Sequence, residues 1–263
     1  MAAQCKRCSS PAPYVLRGEA HCKFVFCYRP PPVGWLTCAP RACYDYYVRS
    51  KCIKRMESYK IRPDDATGQI PTFLLPISFG ISSTALLHLI DAQLQGQRLK
   101  KATRTRYRLK ILHVDEAVLD PPAALPPQHL DSVRQRFPDA GEFLSAKLED
   151  IYSFPLHAEA LGGSSSSTSS NTESMRALLS ALPSPTSRED MAGIFRTRLI
   201  AAIADREGCR GILWGDSTTR LADKVMAEAA KGRGFSLPWQ ISDSESPYGW
   251  EISLPGKGMR EGR

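Results

Sequence analysis

Residues 75–92 read Leu-Pro-Ile-Ser-Phe-Gly-Ile-Ser-Ser-Thr-Ala-Leu-Leu-His-Leu-Ile-Asp-Ala, and no other stretch constrains the fold as much. An apolar run stops at a short Ser/Gly turn and passes straight into apolar residues at helical spacing. A strand that delivers the chain into a helix start places unpaired N–H groups and the positive dipole end at the turn, which suits phosphate. A second turn, Gly215-Asp216-Ser217, stands far along the chain between the apolar run Gly211–Trp214 and another helical pattern. Alternation of this kind predicts an α/β fold with a doubly wound parallel sheet. Both turns would then meet at the C-terminal edge of that sheet, where such folds bind ligands.

The remaining elements follow from periodicity. Strands are predicted at Thr72–Ile77, at Arg106–Asp115, which ends in Asp115-Glu116, and at Gly211–Trp214. Helices are predicted at Ser82–Leu94, Gln128–Arg136, Glu189–Arg206 and Thr218–Lys231, the last closed by Gly232. Ala146–Tyr152 reads as a third strand or a turn. Gly162–Pro185 is Ser-rich, lacks the apolar content to fold alone, and reads as a mobile insert at about 162–187 within a body of residues 72–255. The last 20 residues carry Pro, Gly and charge and are expected to close no further element.

Charge is unevenly placed. Of the net +8, residues 1–62 carry 12 Lys/Arg against 3 Asp/Glu, a net of +9 that leaves −1 for the rest. A basic module of residues 1–62 on a near-neutral body points to a polyanion, with nucleic acid ahead of membrane. Ala42–Arg62 reads as a helix mixing Tyr46 and Tyr47 with Arg49, Lys51, Lys54, Arg55, Lys60 and Arg62. Stacking combined with phosphate attraction is the chemistry of RNA contact, although a solvated basic helix has the same composition. Arg98, Lys100, Lys101, Arg104, Arg106, Arg108 and Lys110 form a second cationic cluster with no acid between them. No stretch reaches the roughly 18–20 apolar residues of a membrane span, and the first residues lack an apolar signal core. A cytosolic or nuclear setting is expected.

Seven of the eight cysteines fall in the first 52 residues. Clustered thiols without a secretory signal favour metal over disulfides. Cys5-Lys6-Arg7-Cys8 is a knuckle that presents two thiolates from one turn, half of a tetrahedral zinc site. Spacing leaves open which of Cys22, Cys27, Cys38 and Cys43 complete it. The segment between Cys22 and Cys43 holds Pro30-Pro31-Pro32 and is expected to lack regular structure. The eighth cysteine, Cys209, reads as a small buried hydrophobe.

Three segments together resemble the PP-loop ATP pyrophosphatases. That group carries Ser-Gly-Gly-x-Asp-Ser after its first strand, and Ser78-Phe79-Gly80-Ile81-Ser82-Ser83 stands here. His113-Val114-Asp115-Glu116 and Gly215-Asp216-Ser217-Thr218-Thr219-Arg220-Leu221-Ala222 match the acidic strand end and the late turn of its tRNA 2-thiolation members. With the N-terminal cysteines and basic helix, the combination is similar to the tRNA 2-thiolation protein 2 family, whose members partner a catalytic thiolation subunit. The resemblance implies a PP-loop-type sheet and a nucleotide site at Ser78, Gly80, Ser82, Ser83, Asp115, Gly215 and Asp216. It implies a zinc-ribbon-like module held by Cys5, Cys8, Cys22 and Cys43, with a lineage-specific stretch of about residues 23–42 between the last two. It further implies tRNA contact through Arg49, Lys51, Lys54, Arg55, Lys60, Arg62, Lys100 and Lys101, cytoplasmic wobble-uridine thiolation, ATP with Mg²⁺ as the reaction's nucleotide, and a thiocarboxylated ubiquitin-related modifier as sulfur source.

The departures from the pattern predict a vestigial nucleotide site and no catalytic residue. Phe79 replaces a glycine and restricts φ. Ser82 replaces an acid that would help hold Mg²⁺. The body has Cys209 alone, too few thiols for an iron–sulfur cluster. The family also continues past position 263, so a shortened sheet is expected. Two other readings compete: a working ATP pyrophosphatase or ligase that acts on RNA, and a zinc-ribbon nucleic-acid binder on an inert body. At residue level, Ser78–Ser83 also reads as a serine-capped turn, Asp115 and Asp216 as capping acids, and His88 and His113 as packed or exposed rings.

Overall fold

A computed structural model describes residues 14–17, 36–39, 48–54, 70–99, 107–119, 128–154, 170–241, 245–246 and 249–253. The chain divides into two compact units, Met1–Lys60 and Ile61–Arg263.

In the first unit, β1 (Tyr14–Arg17) pairs antiparallel with β2 (Leu36–Ala39), in register Tyr14↔Ala39. This corrects the expectation for Cys22–Cys43: β2 starts beyond the proline run, where Leu-Thr-Cys-Ala can pair. Within the predicted helix Ala42–Arg62, residues 48–54 are helical, here α1. Cys52 is buried, and Arg49, Lys51 and Lys54 on the same helix are exposed.

The second unit is a six-stranded sheet flanked by helices. In chain order its elements are β3 (Thr72–Pro76), α2 (Ile81–Leu99), β4 (Arg108–Asp115), α3 (Gln128–Arg136), β5 (Glu142–Lys147), a 3-10 turn (Leu148–Ser153), α4 (Asn171–Ala181), α5 (Pro185–Arg206), β6 (Gly211–Trp214), α6 (Thr218–Ala230), a 3-10 turn (Gly234–Ser236), α7 (Leu237–Ile241), β7 (Glu245–Ser246) and β8 (Gly249–Ser253). The sheet order is β5-β4-β3-β6-β8-β7, parallel except for β7 on β8. Strand order reverses between β3 and β6, which puts the switch point at the loops that follow them.

Alternation assigns the two faces of the sheet. Leu74, Leu112 and Ile212 join Phe195, Leu199, Ile200 and Ile203 of α5 and Met175 and Leu179 of α4 in one core. Phe73, Leu75, Leu109 and Ile111, also buried, occupy the opposite pleat, and Phe73 meets Tyr107 edge-on at 5.9 Å. The apolar positions Leu86, Leu87, Ile90 and Leu94 recur at helical spacing along the inner side of α2.

Three expectations are corrected in this unit. The third strand is β5, earlier than the expected span Ala146–Tyr152, whose residues from Leu148 onward form the turn alternative, a 3-10 turn of Leu148–Ser153. Gly141 permits the approach, since a Cβ there would lie 2.1 Å from the Leu109 carbonyl oxygen. Residues expected to belong to a mobile insert form α4 and the start of α5. A capping box closes on Ser170 and Glu173, and Ser184 with Pro185 starts α5. The C-terminal stretch, expected to close nothing, supplies β8, which pairs Ile212↔Glu251 and Trp214↔Ser253.

Candidate functional site

At the switch point, β3 ends at Pro76 and the Ile77 N–H donates to the Leu112 carbonyl at 2.8 Å. The turn is closed by the first residues of α2. Thr84 N–H donates to the Gly80 carbonyl at 3.1 Å, as does the Ser83 hydroxyl, also at 3.1 Å. Ser78 Oγ lies 3.4 Å from Ser83 Oγ. Gly215 opens the loop after β6 and lies against this turn. A Cβ on Gly215 would stand 2.7 Å from Ser83 Cα, so only glycine lets the two backbones approach this closely. Ser78, Gly80, Ser82, Ser83 and Gly215 are thus brought to one place, and Asp216 follows on the same loop.

Among the described residues Phe79 is the one non-glycine at positive φ, 56°. A bulky side chain at this position restricts φ and is expected to block close backbone approach to a pyrophosphate. The structure shows the ring accommodated and the left-handed backbone kept, at a cost of roughly 1–2 kcal/mol. The Phe79 ring meets the imidazole of His113 at 4.6 Å and that of His129 at 6.3 Å between centroids. His113 Nδ1 also lies 3.2 Å from the Ile77 carbonyl, which ties β4 to the turn.

The acids of this edge already have partners. Asp115 Oδ1 accepts from the Ala117 N–H at 3.0 Å. Glu116 holds Arg196 of α5 through two hydrogen bonds, one from Nη2 at 2.8 Å, and this pairing raises the guanidinium pKa against the effect of its burial. Asp216 is hydrogen-bonded to the Lys224 ammonium, and the same Nζ stands 6.0 Å over the Trp214 ring. Ser217 caps α6 by accepting from the Arg220 N–H at 3.2 Å. Asp216 and Ser217 therefore serve as ion-pair partner and cap respectively.

The loop carboxylates that a magnesium ion would draw on each have a partner within the protein. Among the described residues no three His, Cys, Asp or Glu side chains gather where a metal could be held. Asp216 carries a built-in cation, Asp115 caps its own turn, and position 82 is a serine. An iron–sulfur cluster does not fit the second unit either. Its single thiol, Cys209, precedes β6 at the end of that strand remote from the turns, and its N–H donates to the Ala204 carbonyl. Burial, partly offset by Lys110, pushes the Cys209 thiol up to about 11.

The predicted metal set Cys5, Cys8, Cys22 and Cys43 lies outside the described residues, as do Arg55, Lys60, Arg62, Lys100 and Lys101 of the predicted tRNA set. Arg49, Lys51 and Lys54 are exposed on α1. Lys224, Arg196 and His129 were not singled out in the sequence, because each reaches the edge from a different element. The one available signal was positional: Lys224 follows Asp216 on the helix that Ser217 caps.

No family profile matches the chain. Proteins called cytoplasmic tRNA 2-thiolation protein 2 do match it. That of Phaeosphaeria nodorum is 42% identical over 218 residues, covering 81% of this chain and 55% of that protein. That of Pyrenophora tritici-repentis is 34% identical over 255 residues, 95% of this chain and 60% of that protein. That of Sclerotinia sclerotiorum is 34% identical over 257 residues, 96% and 64% respectively. The chain thus spans about three fifths of the length of these relatives. In fold it is similar to the U34-tRNA thiolase NcsA from Methanococcus maripaludis, solved with its [4Fe-4S] cluster. The TM-score is 0.57 at 13% identity, over 97% of this chain and 69% of that one.

Proposed function

The chain is homologous to the cytoplasmic tRNA 2-thiolation protein 2 family over at least 81% of its length, and from that premise we propose that it serves in the cytoplasmic thiolation of the tRNA wobble uridine as a binding and scaffolding subunit. In this reading the exchange of the uridine C2 oxygen for sulfur is carried by a catalytic partner subunit, with sulfur delivered by a thiocarboxylated ubiquitin-related modifier. This chain forms a heterodimer with that partner and holds tRNA. Phosphate contacts come from the basic module of residues 1–62, through Arg49, Lys51, Lys54, Arg55, Lys60 and Arg62, with Lys100 and Lys101 on the body. Such contacts position the RNA without reading its sequence. Zinc on Cys5, Cys8, Cys22 and Cys43 gives that module its rigidity.

The observation that supports a non-catalytic role is the blunted edge. A phenyl ring occupies the position where a phosphate loop needs glycine, and the carboxylate on the loop after β6, Asp216, is paired with Lys224. The test is reconstitution of thiolation on a tRNA that carries the wobble uridine, using the catalytic subunit with and without this chain. Thiolation is expected only when both are present, and none from this chain with Mg-ATP and a sulfur donor. Thiolation or pyrophosphate release by this chain alone overturns the assignment in favour of a working pyrophosphatase.

A further inference from the structure

We propose that Phe79, His113 and His129 form a platform that stacks a nucleobase at the edge of the sheet where the related loops would hold phosphate. The starting observation is the strained backbone of Phe79, kept at φ 56° although a smaller residue would avoid the strain. A ring that served only to plug an abandoned groove would be sunk among aliphatic side chains. Phe79 is instead half-buried and has two imidazoles as ring neighbours, at 4.6 Å and 6.3 Å. His129, on α3, is exposed. The rings are tilted by 50° and 41°, so they form an open cluster and not a closed stack.

The trio is drawn from three elements. The turn after β3 supplies Phe79, β4 supplies His113, and α3 supplies His129. His113 is oriented through its ring nitrogen by the Ile77 carbonyl. Half-exposed aromatic and imidazole rings grouped at a sheet edge are the composition that single-stranded nucleic-acid binders use to stack unpaired bases. The flat π-face of a base is the shared chemistry, whether the base arrives in an RNA loop or as a free mononucleotide. This inference rests on the tRNA reading for the source of the base, and the mononucleotide arm of the test stands without it.

The experiment uses the full chain. A stem–loop RNA with 5-iodouridine in its loop, and separately 5-iodouridine monophosphate, are irradiated with the protein, and the adducts are mapped by mass spectrometry. Adducts are expected on Phe79 or His129. Phe79→Gly, which relieves the backbone strain, and His129→Ala, at an exposed helix position, should each weaken loop binding between about five- and a hundredfold. Neither variant should melt below the parent, which keeps loss of fold from imitating loss of stacking. Protection of the RNA adduct by excess mononucleotide supports the same site with a free nucleotide as the second source. RNA that binds and cross-links only elsewhere overturns the platform while leaving the tRNA role intact. RNA that fails to bind, beside mononucleotide adducts at Phe79, overturns the tRNA role and keeps the platform.

Discussion

Single residues fix the meeting of the two turns. A methyl group on Gly215 has nowhere to go, because it would face the backbone of Ser83 and no flexible side-chain tip. Gly215→Ala should therefore destabilise the protein by about 1–3 kcal/mol in urea unfolding. Gly96, inside α2, meets nothing within 4 Å, and Gly96→Ala should stabilise by about 0.5–1 kcal/mol in the same assay. The opposite signs separate a packing need from a backbone preference. Thiol reactivity is a second residue-scale consequence. Burial pushes Cys52 up to about 11, as it does Cys209. At pH 8 only on the order of one in a thousand such groups is thiolate. Iodoacetamide should therefore modify both far more slowly in the native protein than in urea. The folded state holds these protons more tightly than the unfolded chain does. The stability they lend is whole below the ordinary value of 9.0 and is lost as pH rises towards about 11.

Elements show which parts of the fold were legible in the sequence. The spans β3, β4, β6, α3 and α6 were readable because each is an apolar run or helical pattern bounded by its own turn residues. β5 was missed because Glu-Phe-Leu-Ser-Ala-Lys buries no residue fully and depends on pairing with β4. β8 likewise exists through its ladder with β6, a contact that no local pattern announces. α4 was hidden by its serine-rich approach, although Ser170-x-x-Glu173 is a legible capping box. At the site, the Ser/Gly turn and Gly215 could be read from the sequence. The pairing of Asp216 with Lys224 and the ring cluster on Phe79 could not, because both join residues whose proximity the fold creates. A tie between elements also carries a pH dependence. Lys110 on β4 bonds Glu207 at the end of α5 at 2.6 Å, and that bond holds the Glu207 carboxyl below its usual range against the effect of burial. A depressed folded pKa means that the contribution is complete above the ordinary value of 4.5 and is lost as pH falls through the lower folded value. Glu207→Gln should lower the melting temperature at pH 7, by about 1 kcal/mol of stability, and the difference from the parent should shrink as the pH is lowered below 4.5.

On the scale of the whole molecule, the two units are expected to answer to different reagents. If zinc organises the first, a strong chelator should abolish salt-sensitive tRNA binding and the signal of the Met1–Lys60 unit. The main thermal transition, which belongs to the sheet of Ile61–Arg263, should stay within about one degree of its original position, since that unit draws its stability from the apolar core and not from metal. A single melt that collapses on chelation would show the two units to be energetically one. The Lys224–Asp216 pair has its own bearing on the assembled complex. With an internal ammonium paired to the Asp216 carboxylate, this edge of the sheet keeps one electrostatic character whether magnesium is plentiful or scarce. If the proposed heterodimer forms, swings in free magnesium should leave this edge of the subunit unchanged, and its tRNA affinity should not follow them.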